Sequence, residues 1–269
     1  MIPYAHAIGI SMKGILKKIS ITLNFITAFS FLVLVFSYFQ IMGLPSKEEI
    51  LDVLFQEPSQ AESLENPFDF HYEGSTYTIV PLYDYEIHGL VVSHNNISSV
   101  MDSYHTSQSV DFRDLCVIWG DNFDNNIHNK ISFWSEPWTC NYQSPSSEVG
   151  SQFRSDHLSN NHLLSDNRYL RDKILRAKVG DQIRLSGKLV NYYPKRFKDL
   201  SRNTSVVRTD TGNGACEVVF VENFDILNVW QKSWSKLYYF FKSFFVFLIC
   251  VKTISFFTFP YLEYVSNGD

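Results

Sequence analysis

Residues 19–44 read ISITLNFITAFSFLVLVFSYFQIMGL, a run from Ile19 to Leu44 without a single Asp, Glu, Lys or Arg. A helix rises about 1.5 Å per residue and the hydrocarbon core of a bilayer is about 30 Å thick, so this run is long enough to span with some tilt. Lys13, Lys17 and Lys18 stand just before it. A basic flank followed by an apolar run also marks a signal peptide. Here, however, the run outlasts an ordinary signal-peptide core, and Phe36–Met42 is bulky where a peptidase needs small residues. The stretch is therefore read as an uncleaved signal anchor (19–44) behind a basic tail (1–18).

A second apolar run covers 237–262, interrupted by Lys242 and Lys252. A lysine at the centre of a span costs about 2.5–3.5 kcal/mol on insertion scales. The phenylalanines that crowd this run oppose that cost. Trp230, Trp234, Tyr238 and Tyr239 suit one membrane interface, and Tyr261 and Tyr264 suit the other. The run is expected to be a second transmembrane or membrane-associated helix. Across the whole chain of 269 residues only 19% are charged and the mean hydropathy is −0.10, which excludes a multi-pass protein and leaves room for one extramembrane domain at 68–229. The lysines before the first segment place the N-terminus in the cytoplasm and the domain outside. Lys232 and Lys236 argue the reverse, but the first segment usually dominates orientation.

Between the two runs the chain reads mostly as strands. Ser46-Lys47-Glu48-Glu49 has the form of a capping box, with Ile50, Val53 and Leu54 behind it at helical spacing. A short helix to Gln56 and an acidic linker, Glu57 to Pro67, fill 45–67. Thr76–Leu82, Tyr85–Ser93 and Leu115–Trp119 are rich in β-branched and aromatic residues, and Ile131–Trp134 begins another strand that Pro137 ends. Asp121–Asn129 is a polar loop. One helix begins at Ser165 or Asp166, lines Leu170, Ile174 and Ala177 along one face, and stops at Gly180. Gln182–Tyr192 follows as a strand with Gly187 at its middle, the mark of a bulge or sharp bend, and a last strand runs from Ala215 or Cys216 to Ile226.

Over residues 166–227 the order helix, Val-Gly-Asp turn, glycine-centred strand, loop and strand resembles part of an OB-type or other small β-barrel. The fold expected is mainly β, a small OB-like barrel or an antiparallel sheet with one packed helix, flanked by two hydrophobic membrane helices.

Charge divides unevenly: 45–155 is strongly acidic and 156–236 is basic. In the basic half, Tyr192, Tyr193, Lys195, Arg196 and Lys198 interleave cations with rings, and Arg208 opens a glycine-rich loop. Such a set suits an anionic ligand, either a lipid headgroup or a polysaccharide; nucleic acid is disfavoured outside the cytoplasm. The loop Arg208–Glu217 lacks the lysine of a phosphate loop, and its Asp210-Thr211-Gly212 occurs once, whereas a carboxylate dyad within one chain needs two copies. An alternative set for hydrolysis is Asp210, Cys216 and Glu217 with His162. His157 and His162, five apart, fit no ordinary metal spacing, and no pattern calls for a metal or a cofactor. Without a C-x-x-C, the domain cysteines Cys116, Cys140 and Cys216 allow one disulfide, and Cys116 with Cys140 would close the polar loop between them. Asn96-Ile97-Ser98 and Asn203-Thr204-Ser205 fit the glycosylation sequon.

The function expected is a membrane-anchored domain that binds a membrane-protein partner or an anionic ligand, with a membrane-bound hydrolase as the alternative. One segment is expected to suffice for anchoring: a chain truncated before Leu237 should still sediment with membranes and require detergent for release. Recovery in the soluble fraction would contradict this.

Overall fold

A computed structural model describes residues 12–97, 109–212 and 214–266. Residues 1–11 of the basic tail, Ser98 of the first sequon and Asn213 of the glycine-rich loop lie outside the described residues. The helices are α1 (Met12–Ile41), α2 (Ser147–Gln152), α3 (Arg168–Ile174) and α4 (Lys232–Ser266). The strands are β1 (Ser59–Glu62), β2 (Phe68–Tyr72), β3 (Ser75–Asn96), β4 (Arg113–Ile118), β5 (Ser132–Glu136), β6 (Thr139–Gln143), β7 (Leu158–Leu164), β8 (Gln182–Pro194) and β9 (Cys216–Asn228).

The chain forms two units. In the first, α1 and α4 pack together through aromatic contacts, among them Phe31 with Phe245 at 5.6 Å and Phe36 with Trp234 at 5.5 Å. Both helices are long and apolar enough to cross a membrane, over Gly14–Ile41 and Ser233–Leu262. Most of their large apolar side chains face outward, Phe25, Phe29, Phe256 and Phe257 among them. An exposed apolar surface of this extent marks a contact with a membrane or with another protein.

The second unit holds a mixed seven-stranded sheet in the order β1-β3-β4-β7-β9-β8, with β2 also on β3. Where the sequence suggests two strands, Thr76–Leu82 and Tyr85–Ser93, β3 is continuous. Asp84, between the two stretches, is paired across to Ala61 on β1 and Lys188 on β8 instead of turning, and Pro81 is absorbed at a register shift against β8. This one strand pairs with β8 from Tyr77 to Leu90 and with β4 from Leu90 to Asn96. The sheet is not purely antiparallel, as one expectation had it. β7 and β9 run parallel, because α3 and β8 intervene and carry the chain back to the same end. The expected helix from Ser46 to Gln56 is instead two 3-10 turns, Lys47–Glu49 and Asp52–Phe55, although the Glu49 carboxylate does accept from the Ser46 N–H at 3.0 Å. The linker contributes β1, and the polar loop is wound as 3-10 turns within Gly120–Lys130.

One core lies between the inner face of the sheet and α3, where Leu115, Leu163, Ile183 and Val219 meet Leu170 and Ile174. Asn167 caps α3 by accepting from the Leu170 N–H at 3.2 Å. At the other end Arg113, 1% exposed, donates to the carbonyls of Ile174 at 2.9 Å and Ala177 at 2.6 Å. These bonds satisfy acceptors that a helix terminus leaves open. Burial lowers the Arg113 pKa to about 10, which still leaves it charged at neutral pH.

A second cluster, with Leu54, Ile118, Phe123 and Phe153, covers another part of the sheet. Here Cys116 on β4 is bonded to Cys140 on β6, with Cα atoms 5.7 Å apart. The bond fastens the β5–β6 hairpin to the sheet. Gly187 lies at a register shift between β8 and β9, and a Cβ there would run into the Phe220 carbonyl oxygen and approach the Glu222 nitrogen at 3.0 Å. Both are backbone atoms and cannot swing aside. Gly187→Ala is therefore expected to lower the unfolding free energy by about 1–3 kcal/mol, read from urea denaturation followed by tryptophan fluorescence. An unchanged midpoint would contradict the close approach.

Candidate functional site

The register of three adjacent strands brings chemistry-bearing residues to the outer face of the sheet. Asp114 on β4 lies opposite His162 on β7, Asn160 lies opposite Cys116, and Cys216 on β9 is alongside Asn160. Because side chains alternate along a strand, Asp114, Asn160, His162 and Cys216 point the same way. Their neighbours Arg113, Leu115, Leu163 and Glu217 point to the other face.

Asp114 and His162 are each 1% exposed, and Nδ1 of His162 is 2.7 Å from Asp114 Oδ1. Nε2 is 2.7 Å from a guanidinium nitrogen of Arg202. Cys216, facing the same way from β9, lies near enough to influence the charge of the imidazole. Its sulfur also lies 3.8 Å from the Asn160 amide and 3.9 Å from the Trp138 carbonyl oxygen. It shares no disulfide with another cysteine. Trp138, at the tip of the β5–β6 hairpin, has its ring centre 5.5 Å from that of His162, and the Arg202 guanidinium is stacked 4.2 Å from it. A backbone pair between Tyr192 and Arg202, at 2.9 and 2.8 Å, stitches the Arg202 segment to β8. The set opens into a cavity of about 810 Å³ that Trp138, Asn160, Arg202, Asp210 and Cys216 help to line.

The partners assign the tautomer. A guanidinium only donates, so while Arg202 is in place Nε2 presents a lone pair and the single ring proton sits on Nδ1, donated to Asp114. Burial alone would lower the His162 pKa, but the Asp114 carboxylate and then Cys216 outweigh it. They raise the imidazole pKa, with Arg202 opposing, but a charged ring could not accept from Arg202, and the 2.7 Å contact at Nε2 marks the resting ring as neutral. Protonation of Nε2 and occupation of Nε2 by Arg202 exclude each other, so the ring has two states. In one it is neutral and holds Arg202. In the other it is an imidazolium, released from Arg202.

Asp111, Asp114 and His162 each bring one potential ligand atom to within 4.8 Å of the others. A metal at that point would need the Nδ1 lone pair and would leave the proton on Nε2, facing the donors of Arg202. The donor set does not fit a metal with Arg202 where it is.

The residues singled out from the sequence are dispersed. Of the alternative hydrolytic set, His162 and Cys216 meet. Asp210 lines the same cavity but accepts from the Ser205 hydroxyl at 2.5 Å. Glu217 lies on the opposite face, 3% exposed, accepting from Ser159 at 2.5 Å and from Arg208 at 2.7 Å. Of the anionic-ligand set, Tyr192 is buried, Lys195 is paired with Asp69 at 2.5 Å, and Arg208 belongs to the Glu217 pair. Tyr193 is half-buried, and Arg196 and Lys198 are exposed in the turn after β8. Asp114, Arg202 and Trp138 were not selected from the sequence, and a cross-strand partner of a histidine has no local signal. Comparison with known protein families, curated proteins and solved structures finds no match to this chain.

Burial raises the Glu217 pKa, against the pull of Arg208 and Ser159. Removing the guanidinium strands a buried carboxylate. Arg208→Met is therefore expected to cost about 3–5 kcal/mol at pH 7, and less at pH 5, because burial raises the Glu217 pKa and a lower pH relieves the stranded charge. Adding Glu217→Leu should restore most of the loss. Urea denaturation at the two pH values checks this, and equal losses at both would contradict it.

Proposed function

We propose that the chain is a membrane-tethered thiol enzyme of the hydrolase or acyl-transfer class, with Cys216 as nucleophile, His162 as base and Asp114 as the positioning residue. The observation that carries the reading is the set itself: a buried carboxylate on Nδ1, a thiol that faces the same way from β9, and a cavity that the thiol lines. Nucleophilic catalysis requires this order of orienter, base and nucleophile.

With Nδ1 committed to Asp114, Nε2 is the nitrogen that serves Cys216. The Sγ proton moves to Nε2 and the thiolate attacks an acyl carbon. The bond to the leaving group breaks, and the leaving group departs with the proton from Nε2. Water then attacks the thioester and gives its proton to Nε2. The C–S bond breaks, the acid leaves, and the proton returns to Sγ. An acceptor nucleophile in place of water makes the same sequence an acyl transfer.

The scaffold reading goes further than the sheet. Strands β3, β4, β7, β9 and β8 pair in turn and β8 returns to β3, with α3 between β7 and β8. That circuit supports an OB-like barrel, whose middle strands and flanking loops are its usual ligand face; β4 and β7 hold the site in this chain. The two apolar helices are proposed to span the membrane and to hold the domain on the extracytoplasmic side. The lysines before the first apolar run support that orientation, as does the Cys116–Cys140 bond, since disulfides persist in oxidising compartments.

Thiol alkylation tests the chemistry in full-length protein carrying Cys250→Ser, so that Cys216 is the reporting thiol. A free thiol titrates near pH 8.5 and only its thiolate reacts. Labelling by iodoacetate at pH 6.5 is expected to fall about tenfold or more in His162→Gln. In Asp114→Asn the pH–rate profile should shift towards that of a free thiol. Superimposable profiles for the unsubstituted site and His162→Gln would end the thiol-enzyme reading.

A further inference from the structure

We infer that the substrate of this site carries an anionic group, captured by Arg202, and that this capture frees Nε2 to activate Cys216. The inference rests on the thiol reading and adds to it the substrate class and the event that starts the reaction.

Arg202 is the cation of the cavity, and its side-chain partners are unusual. Lys47, Arg154, Lys173, Arg184, Lys188, Lys195 and Arg208 all have carboxylate partners. The Arg202 guanidinium instead rests on the neutral face of Trp138 and donates to an imidazole nitrogen. A guanidinium matches carboxylate and phosphate oxygens with two parallel N–H donors, a stronger arrangement than either present contact.

The surroundings favour an incoming anion over an internal one. Asp210, the carboxylate that lines the cavity, is held by Ser205 and lies in the field of Arg208. Asp114 gives Oδ1 to Nδ1, and neither Asp114 nor its neighbour Asp111 is among the residues that line the cavity. The rest of the lining includes neutral hydrogen-bonding groups, Asn141, Asn160, Asn203 and Thr211 among them.

Capture and activation are one event because Nε2 has room for one donor. While Arg202 donates to it, Nε2 cannot take the Cys216 proton. An anion that draws Arg202 away vacates the lone pair, and the proton moves from Sγ to Nε2 with no net exchange with solvent. The resulting imidazolium lies between Asp114 and the thiolate, and the cation that had opposed it is now neutralised by the substrate. Asp111, Asp114, Arg202 and Cys216 are the charged and titratable groups around the ring, with Tyr192 in the same field. An uncharged substrate would leave the resting contact in place.

The test compares two alkylating probes of the same reach, iodoacetate and iodoacetamide, on full-length protein carrying Cys250→Ser. The ratio of their rates at Cys216 is expected to fall about tenfold or more in Arg202→Gln, the loss of one charge-assisted contact, and to be partly retained in Arg202→Lys. In protein with Arg202 intact, replacing chloride by acetate at constant ionic strength should slow iodoacetate labelling with saturation, which needs no substitution at the site. A ratio independent of residue 202, or labelling indifferent to acetate, would overturn the inference. A His162-dependent iodoacetamide rate alongside an unchanged ratio would remove the anion requirement and leave the thiol chemistry standing. An iodoacetate rate indifferent to His162 would remove the thiol chemistry itself.

Discussion

The contact between Asp114 and His162 sets the order of everything at the site. Both side chains are almost wholly withdrawn from water, and the 2.7 Å bond between Asp114 Oδ1 and Nδ1 fixes the ring in one tautomer and one direction. A buried carboxylate without a partner would be driven to protonate, and a buried imidazole without one would turn. Each supplies what the other lacks, and Nε2 is left as the ring nitrogen available to a second group. Arg202 holds that nitrogen and Cys216 faces the same way from β9, and the chemistry proposed follows from competition between the two for Nε2.

The scaffold delivers that contact by pairing rather than by loops. Asp114 and His162 face each other because β4 and β7 are antiparallel neighbours, and Cys216 joins them because β9 lies parallel to β7. Trp138 arrives from outside the main sheet, on a hairpin that the Cys116–Cys140 bond holds against β4. The opposite face carries a separate buried set, Glu217 with Arg208 and Ser159, beside the main core. Alternation along β9 thus sends Cys216 and Glu217, adjacent in sequence, to two unrelated environments.

What could be read from the sequence follows the same physics. The apolar ends were plain because a membrane-length run of Phe, Leu, Ile and Val has few other uses. β8, β9 and α3 were legible from alternation, from Gly187 and from the turn at Gly180. β7 was not: its Ser159-Asn160-Asn161-His162 is polar on both faces, and pattern reading assigns such a stretch to a loop. Its polarity comes from the groups it carries, Asn160 and His162 towards the cavity and Ser159 towards Glu217. His162 and Cys216 were singled out as residue types, but with Glu217, which belongs to the other face. Asp114 sits between Arg113 and Leu115 in a strand buried on both sides, and only the register reveals its partner. The basic and aromatic run after Tyr192 had the strongest local signal. Tyr192 is packed inward there and Lys195 is neutralised by Asp69.

The most direct measurement is the protonation of the two ring nitrogens of His162, from long-range proton–nitrogen correlation spectra of the full-length protein in lipid nanodiscs, assigned with His162→Gln. The expected result is a proton on Nδ1 throughout the neutral range. Nε2 is expected to be bare while Arg202 occupies it and to gain a proton when an anion such as acetate saturates the cavity. A bare Nδ1 with the proton resident on Nε2 would contradict the Asp114 contact and, with it, the order of groups on which the proposed chemistry rests.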